Sequence, residues 1–191
     1  MKDLALREEI IRTALALRAQ SVLPATLGNI SVRTGENAVL ITPSSRPYES
    51  MQPGDLPVID LQGDVIQGEL APSSEWRMHT AIYRARADAR AIVHTHAPAA
   101  TALACLGEPL AGMLGEMEYF AQGPVRVAEY AESGTDAIAE HVVQALGSSR
   151  AVLMAWHGMV ALGPDCTTAA QVAEVIEHCA TLQLWTRGRG G

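Results

Sequence analysis

The chain has 191 residues, of which 48% are hydrophobic and 18% charged, and its formal net charge is −7. That length suits one globular domain with a buried core. The acidic balance argues against nucleic acid as a partner, since a phosphate backbone needs a basic surface. No apolar run reaches the roughly 20 residues that would cross a bilayer, so no membrane partner is expected.

The first ten residues, MKDLALREEI, mix charge with apolar residues at helical spacing. A signal peptide would be a continuous apolar stretch, so a cytoplasmic protein is expected. Leu6, Ile10, Ala14 and Leu17 predict an amphipathic helix over 4–20. LGNISVR (27–33) reads as extended. Residues 39–42 read as a strand that stops at Pro43. Residues 43–53 hold three prolines and three serines and read as loop. Val58-Ile59-Asp60 and Asp64-Val65-Ile66 flank Gln62-Gly63 as a hairpin. A helix is predicted over 73–87, with Ser73 and Ser74 as N-cap candidates and Glu75 in the first turn, where the helix dipole favours negative charge.

Residues 91–96 read as a strand closed by Pro98, followed by a short helix or turn over 101–106. The glycine-rich stretch 107–134 has no clear pattern. Thr135 is a candidate cap for a helix ending at Leu146. Residues 151–156 and 159–162 read as strands on either side of His157-Gly158. A long helix over 167–185 packs on Val172, Val175, Ile176 and Leu182, and residues 186–191 are expected to form a disordered tail. The three cysteines, Cys105, Cys166 and Cys179, include no CxxC pair and read as small buried apolar residues. No GxGxxG or GxxxxGKS/T string occurs, and no dinucleotide-binding alternation of strands and helices. The pattern predicts a single three-layer α/β/α domain over 1–191.

The six histidines carry most of the chemical information. His94 and His96 are two apart in a strand, so their side chains share one face. Two adjacent imidazoles suit one metal at about 2.0–2.1 Å from each nitrogen. The bland alternative is two unrelated polar residues at a strand end. His157 precedes Gly158 in a sharp turn. Alone it reads as structural, but with the HxH pair it completes the three-ligand set of a catalytic zinc site. His141 and His178 read as structural or exposed. His79 lies one helical turn after Glu75, and a hydrogen bond on the helix face is simpler than a second ligand set.

Glu75 follows Pro72-Ser73-Ser74, where two hydroxyls and a helix N-terminus form an anion site. It reads either as a proton-shuttling carboxylate or as a helix cap. Gly28-Asn29 offers close backbone approach and an amide. Thr42-Pro43-Ser44-Ser45-Arg46 offers hydroxyls and a positive charge for an oxyanion.

Together these residues resemble the class II aldolase/adducin family. The matching strings are GNISVR (28–33), ITPSSRPYE (41–49), PSSEWRMHTAIYRAR (72–86), AIVHTHAPAATALA (91–104) and WHGMVALG (156–163). The resemblance implies a three-layer α/β/α sandwich with a central, mostly antiparallel sheet. It implies a homotetramer with active sites at subunit interfaces, and Zn2+ (Mn2+ or Co2+ being alternatives) on His94, His96 and His157. Glu75 would touch the metal at rest and move protons during turnover. Asn29, Ser44, Ser45, Ser73 and Ser74 would bind a substrate phosphate.

The implied reaction is reversible cleavage of a ketose 1-phosphate to dihydroxyacetone phosphate and an aldehyde. Implied substrates resemble L-fuculose 1-phosphate, 5-deoxyribulose 1-phosphate or methylthioribulose 1-phosphate. A metal-dependent decarboxylase and a non-catalytic interaction module are the alternatives. The chain departs from the family at Ser45, where a glycine is usual, and at Gly115 and Ser133, which stand at positions of aromatic residues. No tyrosine follows Tyr130, which leaves Tyr119 and Tyr130 as candidates for the acid that protonates the aldehyde oxygen. These departures imply a smaller or less polar aldehyde half.

Overall fold

The computed structural model describes residues 2–112 and 114–187. Its elements in chain order are α1 (Leu4–Ala19), β1 (Gly28–Gly35), β2 (Ala38–Ile41), β3 (Val58–Ile59), β4 (Val65–Gln67), α2 (Trp76–Ala85), β5 (Ala91–Thr95) and α3 (Pro98–Leu106). There follow α4 (Gly115–Ala121), β6 (Val127–Ala128), α5 (Asp136–Leu146), β7 (Ala151–Met154), β8 (Gly158–Gly163) and α6 (Cys166–Thr186). The strands form one sheet in the order β4-β3-β2-β1-β5-β8-β7-β6. Every neighbouring pair is antiparallel except β6 and β7, which run parallel across the α5 crossover.

Helices cover both faces, so the expected three layers are present. Strand alternation decides which side chain enters which layer. Ile30, Val32, Leu40, Val93, Leu153, Met159 and Ala161 pack with residues of α1, α3, α4 and α6. Val39, Ile41, Ile92, Val152 and Val160 pack with Met78, Ile82, Ile138 and Val142 of α2 and α5. Among the described residues, no helix is long and apolar enough to cross a membrane.

Three local readings are corrected by the structure. The helix expected over 73–87 begins at Trp76. Ser73 is drawn out of it because its N–H donates to Thr42 O (3.0 Å) in an isolated bridge between Pro43 and Pro72. The stretch 107–134 contains α4 and β6, and the two residues of β6 are extended because they pair with β7. Helix α6 runs through Thr186, whose Oγ1 donates to Leu182 O at 2.8 Å, and Arg187 pairs with Glu108. Residues 188–191 of the expected tail lie outside the described residues. The cysteines are free, Cys166 and Cys179 being buried and Cys105 partly so.

Candidate metal centre and active-site cleft

The site lies where the ends of β1, β5 and the β7–β8 turn meet the start of α2. Asn29 and His94 are direct register partners on β1 and β5. By alternation they share the sheet face with Ser31 and Ile92, the face that α2 covers. His94 is fully buried in β5, and its Nδ1–H donates to Met159 O at 2.9 Å. That bond fixes the tautomer and leaves the Nε2 lone pair free to ligate. His96 lies just past the strand end, with Nε2 at 3.2 Å from His94 Nε2. His157 comes from the tight turn between β7 and β8. There Trp156 adopts a left-handed φ of 57° and His157 N–H donates to Met154 O (3.0 Å).

Glu75 closes the cluster. It occupies the N-cap position of α2 but makes no capping hydrogen bond, which excludes the capping reading. Its Oε2 is 3.0 Å from His94 Nε2 and its Oε1 is 3.2 Å from His157 Nε2. One ligand atom from each of Glu75, His94, His96 and His157 lies within 4.8 Å of the other three. The edges of a tetrahedron with bonds of about 2.0–2.1 Å are about 3.3 Å long. The 3.2 Å between His94 and His96 Nε2 and the 3.0 Å from Glu75 Oε2 to His94 Nε2 match two such edges, and the four donor atoms all stay within 4.8 Å, which suits one divalent ion. Three imidazoles and one carboxylate are also a donor set of the right chemistry.

Electrostatics agree with that fit. Burial, then the neighbouring His94, drives both His96 and His157 down to about 4. Burial opposes charge on Glu75, but His94 and His157 outweigh it and hold the carboxyl below the usual carboxylate range. Burial likewise opposes charge on His94, and Glu75 outweighs it, so His94 lies above the usual imidazole range. His96 and His157 are therefore held in the neutral form that offers a lone pair, beside an ionised Glu75. A dication would compete with protons for these nitrogens, so its binding is favoured as pH rises.

The sequence matches the family described as "Class II Aldolase and Adducin N-terminal domain" over residues 8–184. The chain belongs to the class II aldolase/adducin family. It is 38% identical over 185 residues to the 5-deoxy-D-ribulose 1-phosphate aldolase of Bacillus thuringiensis serovar kurstaki, a match spanning 96% of this chain and 86% of that one. It is 37% identical over 182 residues to the 5-methylthioribulose-1-phosphate/5-deoxyribulose-1-phosphate aldolase of Rhodospirillum rubrum, spanning 95% of this chain and 81% of the relative. A solved L-fuculose 1-phosphate aldolase superposes with a TM-score of 0.94 at 37% identity, covering 98% of this chain and 88% of that structure. The chain is thus a metal-dependent class II aldolase, an aldehyde-lyase.

In this class II aldolase the ligand cluster opens into a cleft of about 270 Å³. Ser44, Ser45, Ser73 and Ser74 all line it, with Asn29 and Arg46. The two serine loops are stitched together: Ser44 N–H donates to Ala71 O (3.0 Å), and Ser73 N–H to Thr42 O. Ser45 takes φ 55°, a left-handed conformation that suits glycine better than serine. Arg46 is paired with Asp55 at 3.2 Å, so its charge is already partly matched.

Asn29 has a contact that the sequence did not reveal. Its Nδ2–H donates to Glu75 Oε2 at 2.9 Å. Ser133 was also missed as a partner of Glu75; its hydroxyl donates to Oε1 at 3.0 Å across 58 residues. Nothing in the local string around Ser133 signals this contact. Gly134 permits it, because with φ 77° a Cβ there would sit 2.9 Å from Ser74 O. Tyr119 and Tyr130 are highly exposed, and neither lines the cleft. His79 is not part of a ligand set: it is fully buried on α2 and bonded to Ser31 and Asn29.

Proposed function

We propose that this aldolase reversibly cleaves a ketose 1-phosphate to dihydroxyacetone phosphate and an aldehyde. One observation carries the reading: Glu75 shares the histidine cluster and faces, in the same cleft, the two joined serine loops. The names of the relatives support a short aldehyde, acetaldehyde or its methylthio counterpart, released from a 5-deoxypentulose phosphate. Ser133, at a position of aromatic residues, agrees with an aldehyde half that needs little polar recognition.

His94, His96, His157 and Glu75 would hold the divalent ion, which we take to be zinc. When bound, the ion supplies Lewis-acid stabilisation of the negative charge that develops on the substrate oxygens. Ser44, Ser45, Ser73 and Ser74 would hold the phosphate, together with Asn29, which has one amide hydrogen beyond that given to Glu75. Their binding energy positions the reacting carbons at the carboxylate. In cleavage, the C4 hydroxyl proton passes to the Glu75 carboxylate, the C3–C4 bond breaks to leave the aldehyde, and the electron pair passes to C3 and the neighbouring carbonyl, so that the proton Glu75 next gives up is the one it has just taken. Glu75 then delivers a proton to C3, and it removes that proton in the synthetic direction.

A homotetramer whose subunits meet at the cleft belongs to the same proposal. It is supported by half-exposed Leu27 on the cleft wall and by exposed Trp156 beside His157. A cytoplasmic location belongs to it as well, because phosphorylated sugars are charged and do not cross membranes unaided. The test is metal content together with aldehyde and dihydroxyacetone phosphate release from a panel of ketose 1-phosphates. About one zinc per chain and a cleaved pentulose phosphate are expected. Metal without cleavage of any member would sink the reading, and carbon dioxide release without aldehyde would move it to a decarboxylase.

A further inference from the structure

Behind Glu75 a buried row of hydrogen-bonding side chains continues past Asn29 through His79, Ser31 and Tyr83, which the chemistry above does not use. Tyr83 Oη lies 2.9 Å from Ser31 Oγ, and Ser31 Oγ lies 2.7 Å from His79 Nδ1. His79 Nε2 lies 2.5 Å from Asn29 Oδ1, and Asn29 Nδ2 lies 2.9 Å from Glu75 Oε2. Tyr83, Ser31 and His79 are at most 2% exposed, and Asn29 is 5% exposed. No solvent reaches Tyr83, Ser31 or His79 to satisfy a wrongly oriented group, so donors and acceptors must agree along that part of the row and at its contact with Asn29.

Only one direction agrees. An ionised carboxylate accepts and cannot donate, so Asn29 must present its NH2 to Glu75. Its carbonyl oxygen then faces His79, and His79 must answer with Nε2–H. The neutral ring leaves Nδ1 as an acceptor, which takes the Ser31 hydroxyl proton. Ser31 Oγ in turn accepts from the Tyr83 hydroxyl. If His79 carried its proton on Nδ1 instead, Asn29 would have to turn over, and its carbonyl oxygen would face the Glu75 carboxylate. Every donor in the row thus points towards Glu75 Oε2.

We infer that His79 is a positioning residue for the reaction: through Asn29 it fixes Glu75 Oε2, leaving Oε1, on the side of Ser133 and the cleft, to exchange the proton with substrate. This rests on the reading of Glu75 as the proton-transfer carboxylate. His79 itself touches neither substrate nor metal ligands. Its effect is to set which way round Asn29 stands, and so whether Glu75 meets a donor or an acceptor.

The test compares wild type with His79→Leu and His79→Gln, each loaded with zinc and assayed on the ketose 1-phosphate that wild type cleaves. Glutamine carries an N–H the same number of bonds from Cβ as Nε2, so it can still donate to Asn29, whereas leucine cannot. The expected result is a kcat lowered about 10- to 100-fold in His79→Leu, the range seen when partners of site residues are removed. KM and zinc content should stay within about twofold, and His79→Gln should recover most of kcat. An unchanged kcat in His79→Leu, or equal damage in both variants, would overturn the inference.

A second measurement stands apart from activity and from the folding of any variant. Nitrogen-15 spectra of the wild-type imidazoles, metal-free and zinc-loaded, should show His79 as the neutral Nε2–H tautomer in both. An Nδ1–H tautomer or an imidazolium at neutral pH would overturn the direction of the row. If wild type cleaves no ketose 1-phosphate, the functional reading fails by itself, and the spectra still decide the orientation of Asn29.

Discussion

Asn29 and His94 stand directly opposite each other on β1 and β5, and both reach the same carboxylate oxygen, Glu75 Oε2, at 2.9 and 3.0 Å. One is an amide that only donates there, and the other offers a lone pair to a metal. Sheet register, not sequence proximity, brings a positioning group and a ligand to one oxygen. Gly28 helps to hold that register. It has φ 135°, and a Cβ there would lie 2.4 Å from His94 O, so only glycine lets β1 lie this close to β5.

Glu75→Gln keeps the shape of the side chain and removes its ability to move a proton. We expect kcat to fall by roughly 100- to 10,000-fold, the usual span of general acid–base catalysis. Zinc content should fall little, because His94, His96 and His157 still ligate. Parallel metal analysis and steady-state kinetics check this. Loss of zinc in proportion to activity would mean that the carboxylate acts chiefly as a ligand.

The parts of the site that were legible in the sequence are those whose chemistry is local. His94 and His96 share a face because a strand alternates, and Glu75 beside two serines marks a helix start. The contacts of Asn29 and Ser133 with Glu75 were hidden, since they depend on strand register and on how the loop over 129–134 folds back. The edges of elements were misread where tertiary pairing decides them. Ser73 is held by Thr42 O and so cannot begin α2, and the two residues of β6 are a strand only through β7.

Acid should destabilise the metal-free protein. Burial drives His79 to about 3, and burial with His94 drives His96 and His157 to about 4, against an ordinary value near 6.5. A histidine lowered on folding binds more protons when unfolded, so stability rises with pH across this window. The contribution is complete above about 6.5 and is lost as pH falls towards 4. His94 is shifted the other way, so its contribution is present below 6.5 and fades only above it. Glu75, held low, loses its contribution below the ordinary carboxylate value. Between pH 6.5 and 4.5 the three lowered histidines make stability rise with pH, against the smaller opposite pull of Glu177, a single carboxyl raised by burial. Denaturant titrations over this range should show falling stability, and zinc affinity should fall with it, because protons compete for the same nitrogens. A flat profile would contradict the buried, neutral state of these rings.

Ser45 holds a left-handed backbone at φ 55° in the loop that faces the cleft. An L-residue in that region is strained by about 1–2 kcal/mol relative to glycine. Glycine's greater freedom in the unfolded chain offsets roughly 0.4–1 kcal/mol of that. Ser45→Gly should therefore stabilise the fold by about 0.5–1 kcal/mol and raise Tm by about 2 °C. Ser45→Val, β-branched at the same φ, should lower Tm. Thermal melts of the two variants decide it, and a lower Tm for the glycine variant would mean that the Ser45 hydroxyl matters more to the loop than its backbone does.

Ser133 approaches Glu75 from an exposed loop, with Oγ 3.0 Å from Oε1. The loop is fastened by the close passage of Gly134 over Ser74 and by Arg77, which donates to Gly134 O at 3.2 Å. A hydrogen bond to a charged group is worth more than one between neutral groups, but water can replace part of it at an exposed position. Ser133→Ala should therefore lower kcat by about three- to tenfold, with zinc content unchanged. KM should hold steady, because the phosphate loops are untouched. Ser133→Thr retains the hydroxyl and should remain close to wild type. If alanine and threonine behave alike, the hydroxyl does not hold Glu75 during turnover. The oxygen that meets the substrate would then be steadied by the zinc ligands and the Asn29 side alone.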